Sequence, residues 1–421
     1  MPTLTARGWG FIATGAGLYL MGRVTGSAEL YTLALAAVVL PLLAMASVRS
    51  GRYKITSTRS LNPSRTFPGT DATASIRLTN SGSLATAPLL IEDMCPFASH
   101  SGSARFVLEG IGIHQTETIA YSFPCRHRGR FRLGPLRVRI NDPFGLAGIQ
   151  RSFHSASELV VYPHVEPLPA TTVGGGWGGA STSRVRRINF AGEDYYTVRD
   201  YREGDDLRKI HWRSTAHTGN LMVRQEETAR QSHATVLLDL RRHAHTGAGP
   251  ESSLEWTISA GASFCVALAR AGFQIRLVTD DGTETSPGAD RDQVEACLET
   301  LAAVTSSEQL NLLPVLDRLS RGPSGGLLVA VVAPPSPEEA GALVRTRACF
   351  DTALALMVLP ASFSPGATRS AREEREKAPN SKFLMERAGW RLVAGGKSDR
   401  LAELWSRLTA QRPHPSQNAP R

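Results

Sequence analysis

The unbroken apolar run from Leu30 to Val48 does most to limit what this chain can become. It carries no charge. At about 1.5 Å of rise per residue, a helix of this length covers most of a bilayer core of about 30 Å. A shorter run rich in Gly and Ala, Gly8 to Gly22, precedes it, with Arg23 and Glu29 between the two. Read as two spans, the shorter would stand upright with Arg23 snorkelling to the surface. Arg7 flanks the first run, and Arg49, Arg52 and Lys54 follow the second, so basic flanks put both ends in the cytoplasm. The expectation is that residues 1–50 form two transmembrane helices of a multi-pass cell-membrane protein with cytoplasmic soluble domains. Two readings compete with it. One is a cleaved signal peptide ending near Ser27-Ala28. The other is a soluble helical hairpin, which would need a polar face that neither run has.

The chain has 421 residues, too many for one ordinary core, and its 42% hydrophobic and 20% charged content is globular. The net charge of +9 suits contact with an anionic surface. The excess is spread along the chain, however, without zinc-finger spacing, an RNP-like block or a long basic helix, so nucleic acid is disfavoured as a partner. Cys95, Cys125, Cys265, Cys297 and Cys349 are odd in number and contain no CxxC pair. Buried free thiols fit this better than a disulfide framework or a zinc site.

Residues 51–170 alternate apolar and polar positions in short runs, as in Ala74–Thr79, Leu89–Glu92 and Thr118–Phe123, with Pro-Gly, Asn-Ser-Gly and Asp-Pro breakers between. This predicts an all-β sandwich-like module. Arg137 and Arg139 fall on one strand face, and Leu136, Val138 and Ile140 on the other. The arginines read as a solvated, edge-protecting face, with a basic surface for anionic lipid or a partner as the alternative. Asn141-Asp142-Pro143-Phe144-Gly145-Leu146 predicts a turn with an aromatic plug.

Residues 171–183, with Gly174-Gly175-Gly176-Trp177-Gly178-Gly179, read as a flexible linker. The signature segment, 184–233, follows. Within it Gly192 to Arg213 crowds acids, bases, glycines and aromatics into one window. Arg199 and Arg202 alternate with Asp200 and Glu203, so charge pairs are available to either neighbour. Gly204 permits a turn. Asp205 or Asp206 is placed to cap a short helix over Leu207–Trp212, on which Arg208, His211 and Trp212 crowd one side. The candidate interaction motif is therefore Arg199, Tyr201, Arg202, Gly204, Asp205, Asp206, Arg208, His211 and Trp212.

From Ala234 to Ala410 continuous apolar strands alternate with helices. Ala234–Asp239, Phe273–Thr279, Gly326–Val332, Thr352–Leu359 and Trp390–Val393 read as strands, and Leu254–Ala271, Asp292–Val304, Leu310–Ser320, Pro337–Arg345 and Asp399–Ala410 as helices. That pattern predicts an α/β domain with a mainly parallel sheet covered on both faces, its ligand site at the carboxyl ends of the strands. Phe363–Ser381 reads as a mobile surface loop, with a short exposed helix as the alternative, and residues 411–421 as a disordered tail.

The window ending at Thr215-Ala216 fills every fixed position of G-E-[DE]-[FY]-x-x-[VL]-R-[DE]-Y-x-x-G-D-[DP]-x-R-x-I-[HD]-W-[RK]-x-[ST]-A and so resembles the family called domain of unknown function 58. Arg128-Gly129-Arg130-Phe131, Leu133-Gly134-Pro135, Asp142–Leu146 and the Val160–Pro163 strand resemble the region that precedes this signature in the family. The resemblance implies a multidomain fold: an N-terminal transmembrane helical hairpin, a β-sandwich-like module and a von Willebrand factor A-like α/β domain. It also implies partnership with a MoxR-type AAA+ ATPase and a transglutaminase-like membrane protein. Von Willebrand A domains that bind Mg²⁺ carry D-x-S-x-S after the first strand, whereas this chain has Asp239-Leu240-Arg241-Arg242-His243. Asp239 is therefore expected to pair with a local arginine or cap a turn.

The expected function is that of a membrane-anchored, non-enzymatic adaptor, with no cofactor and no metal. The alternative is a metal-dependent hydrolase or nuclease using Asp205, Asp206 and His211. Against it, Arg202, Arg208, Lys209 and Arg213 surround those acids and compete for them.

Overall fold

The computed structural model describes residues 3–170 and 196–410, apart from 51–53, 84, 99–101, 143, 202–205, 207, 209, 227–232, 286–291, 323–324 and 364–378. The expected linker at 171–183, the start of the signature and the tail at 411–421 lie outside the described residues, as does most of the expected loop. Residues 379–387, which include the last three residues of that expected loop, are helical. The chain divides into two compact units, Met1–His164 with Leu298–Val304, and Val165–Cys297 with Thr305–Arg421.

In the first unit, helices Ala6–Thr25 and Ala28–Ser50 run back along each other through a left-handed turn at Gly26. Gly8, Gly15 and Gly22, seven apart, are the buried residues of the first helix. A Cβ on Gly15 would sit 2.8 Å from Val38 Cγ2 and 3.1 Å from the Ala34 carbonyl, so only hydrogen lets the backbones come this close. The expectation of two transmembrane helices is nevertheless corrected. Among the described residues only Ala28–Ala46 is long and apolar enough to cross a membrane. The first helix carries Arg7 and Arg23 in its end turns, and half of it is Gly, Ala and Thr, which supply close packing but little hydropathy. The multi-pass localisation with cytoplasmic soluble domains rested on two spans and falls with them.

The β strands of this unit form three sheets. Ile55–Asn62, Asp71–Asn80 and Thr116–Pro124 pair antiparallel with Asp71–Asn80 in the centre. Thr3–Leu4, Ala147–Phe153, Leu136–Asn141, Leu89–Met94 and Ser103–Leu108 form a second sheet in that order. Gly129–Leu133, Ser157–Val161 and Arg65–Thr66 form the third. Period-two alternation decides what is buried. Ile76 and Leu78 from the first sheet meet Leu89, Ile91, Leu136, Val138 and Ile140 from the second in one apolar cluster. Arg137 and Arg139, on the opposite face of their strand, are exposed. Inside the module Arg59 pairs with the fully buried Asp93, whose other oxygen accepts the Tyr121 hydroxyl at 2.6 Å. Burial pushes the Asp93 carboxyl up, and the bonds from Tyr121 and Arg59 offset only part of this.

The second unit is built on a six-stranded sheet in the order Glu284–Thr285, Gln274–Thr279, His233–Leu238, Leu327–Val332, Thr352–Val358, Arg391–Gly395. Every pairing is parallel except the short Glu284–Thr285 edge. This mixed, mainly parallel arrangement is consistent with a von Willebrand factor A-like fold. All six residues of Leu327–Val332 are buried, as a strand covered on both faces requires. Helix Ser253–Arg270 starts at a Ser252 cap and buries Phe264 against Trp405 of helix Leu401–Ala410, ring centroids 5.0 Å apart. Leu316 and Leu319 of helix Leu313–Arg321 join Leu343 of Pro337–Arg347 in another apolar cluster with Leu328, Ala330 and Trp390.

Candidate functional site

Two places in the second unit bear on function: the carboxyl end of the parallel sheet and the signature segment.

At the sheet end, Asp239 follows the His233–Leu238 strand directly and is fully buried. Arg241 turns back on it. Its Nε donates to Oδ1 and its Nη2 to Oδ2, both at 2.8 Å. Nη1 bonds Glu339 in the first turn of the Pro337–Arg347 helix. The carboxylates are otherwise met by backbone. Ala333 N donates to Asp239 Oδ2 at 3.2 Å, Leu312 N to Glu339 Oε1 at 3.0 Å, and Ser336 N to Glu339 Oε2 at 2.8 Å within a capping box. Burial works against the Arg241 charge. The bond to Asp239 and the charges of Asp239, Glu339 and Asp280 outweigh it and hold the guanidinium above its ordinary pKa.

Asp280 follows the neighbouring Gln274–Thr279 strand. It accepts from Leu240 N at 2.9 Å and from the Ser307 hydroxyl. Burial raises its carboxyl, offset in part by those bonds. His245 Nε2 meets the Asp239 carbonyl at 2.7 Å, and Nδ1 faces the Ser253 hydroxyl at 3.1 Å. Burial pushes this imidazole toward the neutral form. The crevice where an open α/β sheet offers a ligand site is therefore filled by the chain's own guanidinium. Among the described residues, no group of three or more His, Cys, Asp or Glu side chains could hold a metal ion.

In the signature, strand Tyr196–Asp200 pairs antiparallel with Met222–Glu226, and Ile210 bridges to Val223 from the other side. The short helix expected at Leu207–Trp212 lies one turn later, at Trp212–Thr218. His211 caps it. Its Nδ1 accepts from Ser214 N at 3.3 Å and faces the Ser214 hydroxyl at 2.8 Å, which places the ring proton on Nε2. Gly219 ends the helix in the left-handed conformation, which a Cβ would strain.

The predicted motif residues are distributed as follows. Arg199 lies opposite Val223 in the strand pair. Tyr201 is half-buried and donates its N–H to the Leu221 carbonyl at 2.8 Å. Asp206 is exposed and accepts from Arg208 N at 3.0 Å, forming a local turn rather than a helix cap. Arg208 is also exposed. Trp212 is 68% exposed at the first residue of the helix. Arg202, Gly204 and Asp205 lie outside the described residues. Of the proposed acid–base set, Asp206 is engaged in its local turn and His211 in capping the helix.

Sequence reasoning did not find Glu339, Asp280 or His245. Glu339 left one signal, the Ser336-x-x-Glu339 spacing of a capping box.

Comparison with known proteins gives one family match. Residues 197–333 fit the model described as "Protein of unknown function DUF58". The uncharacterized protein YeaD of Bacillus subtilis (strain 168) is 25% identical over 159 residues, which are 36% of this chain and 39% of that protein. The alignment thus covers well under two thirds of that relative. Among solved structures, a CARDB domain from Pyrococcus furiosus is 8% identical with a TM-score of 0.19, over 26% of this chain and 93% of that one. Spo0M, the sporulation control protein of Bacillus subtilis, is 12% identical with a TM-score of 0.17, over 26% of this chain and 50% of that one. Scores this low carry no argument about fold or function. The matched residues span most of the signature and the first half of the α/β sheet, and over that part the chain is similar to the DUF58 family.

Proposed function

We propose that this chain is a non-enzymatic adaptor, anchored through the single membrane-length helix Ala28–Ala46, whose signature platform docks a protein partner. The Arg241 clasp carries this reading. The three fixed donors of Arg241 close on Asp239 and Glu339, so neither of these two carboxylates is left unpaired to activate a water or ligate a cation. Recognition then falls to the surface, where Trp212 stands exposed at the start of a short, doubly capped helix and Arg208 and Asp206 are exposed in the segment before it. Exposed aromatics and arginines on rigid elements are the residue types that dominate protein interfaces. The partners that the family resemblance implies are a MoxR-type AAA+ ATPase and a transglutaminase-like membrane protein.

Two purified proteins test this: the full chain in detergent and the ATPase. A stable complex that survives gel filtration and is lost on Trp212→Ala is the expected result. No complex, or a complex indifferent to the platform, counts against it. The alternative, metal-dependent hydrolysis by Asp205, Asp206 and His211, predicts stoichiometric Mn²⁺ or Zn²⁺ that is lost on Asp205→Ala.

A further inference from the structure

We propose that the Asp142–Ala147 turn is a second membrane contact, seating Phe144 in the headgroup layer of an anionic leaflet beside the end of the Ala28–Ala46 helix. The inference rests on the single-anchor part of the function proposed above.

The turn is built rather than loose. Asp142 is buried, and its carboxylate accepts from Phe144 N at 3.0 Å and Ala147 N at 2.6 Å. Its backbone closes the turn through Gly145 N at 3.0 Å and the Ala147 carbonyl at 3.0 Å. Gly145 adopts φ +69, which a β-carbon would strain. With the turn held by its base, the aromatic ring is pushed outward, and Phe144 is 67% exposed. The turn thus holds a large apolar side chain at the surface, available to an apolar phase that meets it.

The surroundings name that surface. Leu146 and Ala147, the next residues, pack on Ala44 and Val48, where the apolar span ends. Thr5, the cap of the first helix, donates its N–H to the Leu146 carbonyl at 2.9 Å and its hydroxyl to the Gly145 carbonyl at 2.6 Å. The ring therefore lies beside the end of the spanning helix, at the headgroup–acyl boundary where an exposed Phe buries its apolar face. Arg7 and Arg49 are both exposed at the same level, Arg7 with its guanidinium beside Gly145. Two bases flanking one aromatic complement a negatively charged leaflet.

The test uses the full chain with Cys349→Ser, reconstituted into phosphatidylcholine vesicles with and without phosphatidylglycerol. An environment-sensitive fluorophore is placed at Phe144→Cys or, as a control, at Val107→Cys on the Ser103–Leu108 edge strand, 76% exposed in the wild-type chain. Flotation with the vesicles reads the anchor. A blue shift and quenching by spin-labelled lipid at position 144 but not at 107, stronger with phosphatidylglycerol and weakened by Arg7→Gln with Arg49→Gln, is the expected result. A water-like label at 144 in floating vesicles overturns the contact while leaving the anchor standing. Equal quenching at both positions, or none of the dependence on phosphatidylglycerol, also overturns it. Failure to float overturns the anchor reading and this one together.

Discussion

Arg241 grips Asp239 through two parallel hydrogen bonds of 2.8 Å and reaches across with its remaining nitrogen to Glu339. The three charged side chains are almost wholly buried. Removing one member of such a group leaves the others charged and unpaired, which costs about 3–5 kcal/mol. Arg241→Ala is expected to lower the unfolding free energy of the second unit by that amount, read from its urea transition by Trp fluorescence. Arg241→Lys should be nearly as damaging, because an ammonium cannot present the planar fork that serves both Asp239 oxygens and Glu339. Wild-type stability in either variant would show the clasp to be incidental.

His245 gives the same region a pH dependence. Its pKa in the fold lies below the ordinary 6.5, because burial disfavours the imidazolium. The unfolded chain therefore binds more protons between the two values. The contribution is intact above about pH 6.5 and is lost as the pH falls through the folded value. Asp280, with its carboxyl raised by burial, acts in the opposite sense at lower pH, since the fold then holds the proton more readily. Comparing the wild type with His245→Gln isolates the histidine. Unfolding free energy should fall between pH 7 and pH 5 in the wild type and be flatter in the variant.

The helical hairpin depends on Gly15. A side chain there meets Val38 and the Ala34 carbonyl, and overpacking of this kind costs about 1–3 kcal/mol. Tyr19 and Tyr31 face each other across the pair, with ring centroids 5.6 Å apart. A disulfide between Tyr19→Cys and Tyr31→Cys should form readily and become slow or incomplete when Gly15→Leu is added. Unchanged cross-linking would contradict the close pairing.

Glu166 caps a helix more than two hundred residues away. Its carboxylate accepts from Leu401 N at 3.3 Å and Ala402 N at 3.1 Å, while its own N–H donates to the Ser263 hydroxyl at 2.9 Å. An acid at a helix N-terminus stabilises by about 1 kcal/mol. Glu166→Gln should speed amide exchange in the first turn of Leu401–Ala410 without affecting the Leu327–Val332 strand.

These sites differ in how far they can be read from the chain alone. Leu327–Val332 is visible because a strand buried on both faces must be continuously apolar. The alternation around Val138 is visible because one sheet face is wet. The pairing of Asp239 with a local arginine follows from Asp239-Leu240-Arg241. Its closure on Glu339 does not, because the strand order brings together residues 98 apart in sequence. The signature helix is misplaced by a turn because several polar residues compete to cap it. His211 prevails, with Gly219 at a compatible distance to end the helix, whereas Asp206 bonds its own near backbone. The N-terminal run Gly8–Gly22 is over-read as a span for a related reason. Glycines that serve helix contact count as apolar in a run, although they contribute little hydropathy. The outward ring of Phe144 is legible only as a turn signal, since the helix end beside it is set by packing of Leu146 on Val48.

The central claim is that recognition takes place on the signature platform and needs no bound ion. Affinity between the purified full chain and a purified MoxR-type ATPase, measured in EDTA and again with Mn²⁺, tests it most directly. The account predicts the same dissociation constant in both buffers and, for a central aromatic worth about 2 kcal/mol, roughly thirtyfold weaker binding with Trp212→Ala. Binding or substrate turnover that appears only with Mn²⁺, or an affinity indifferent to Trp212, would contradict it.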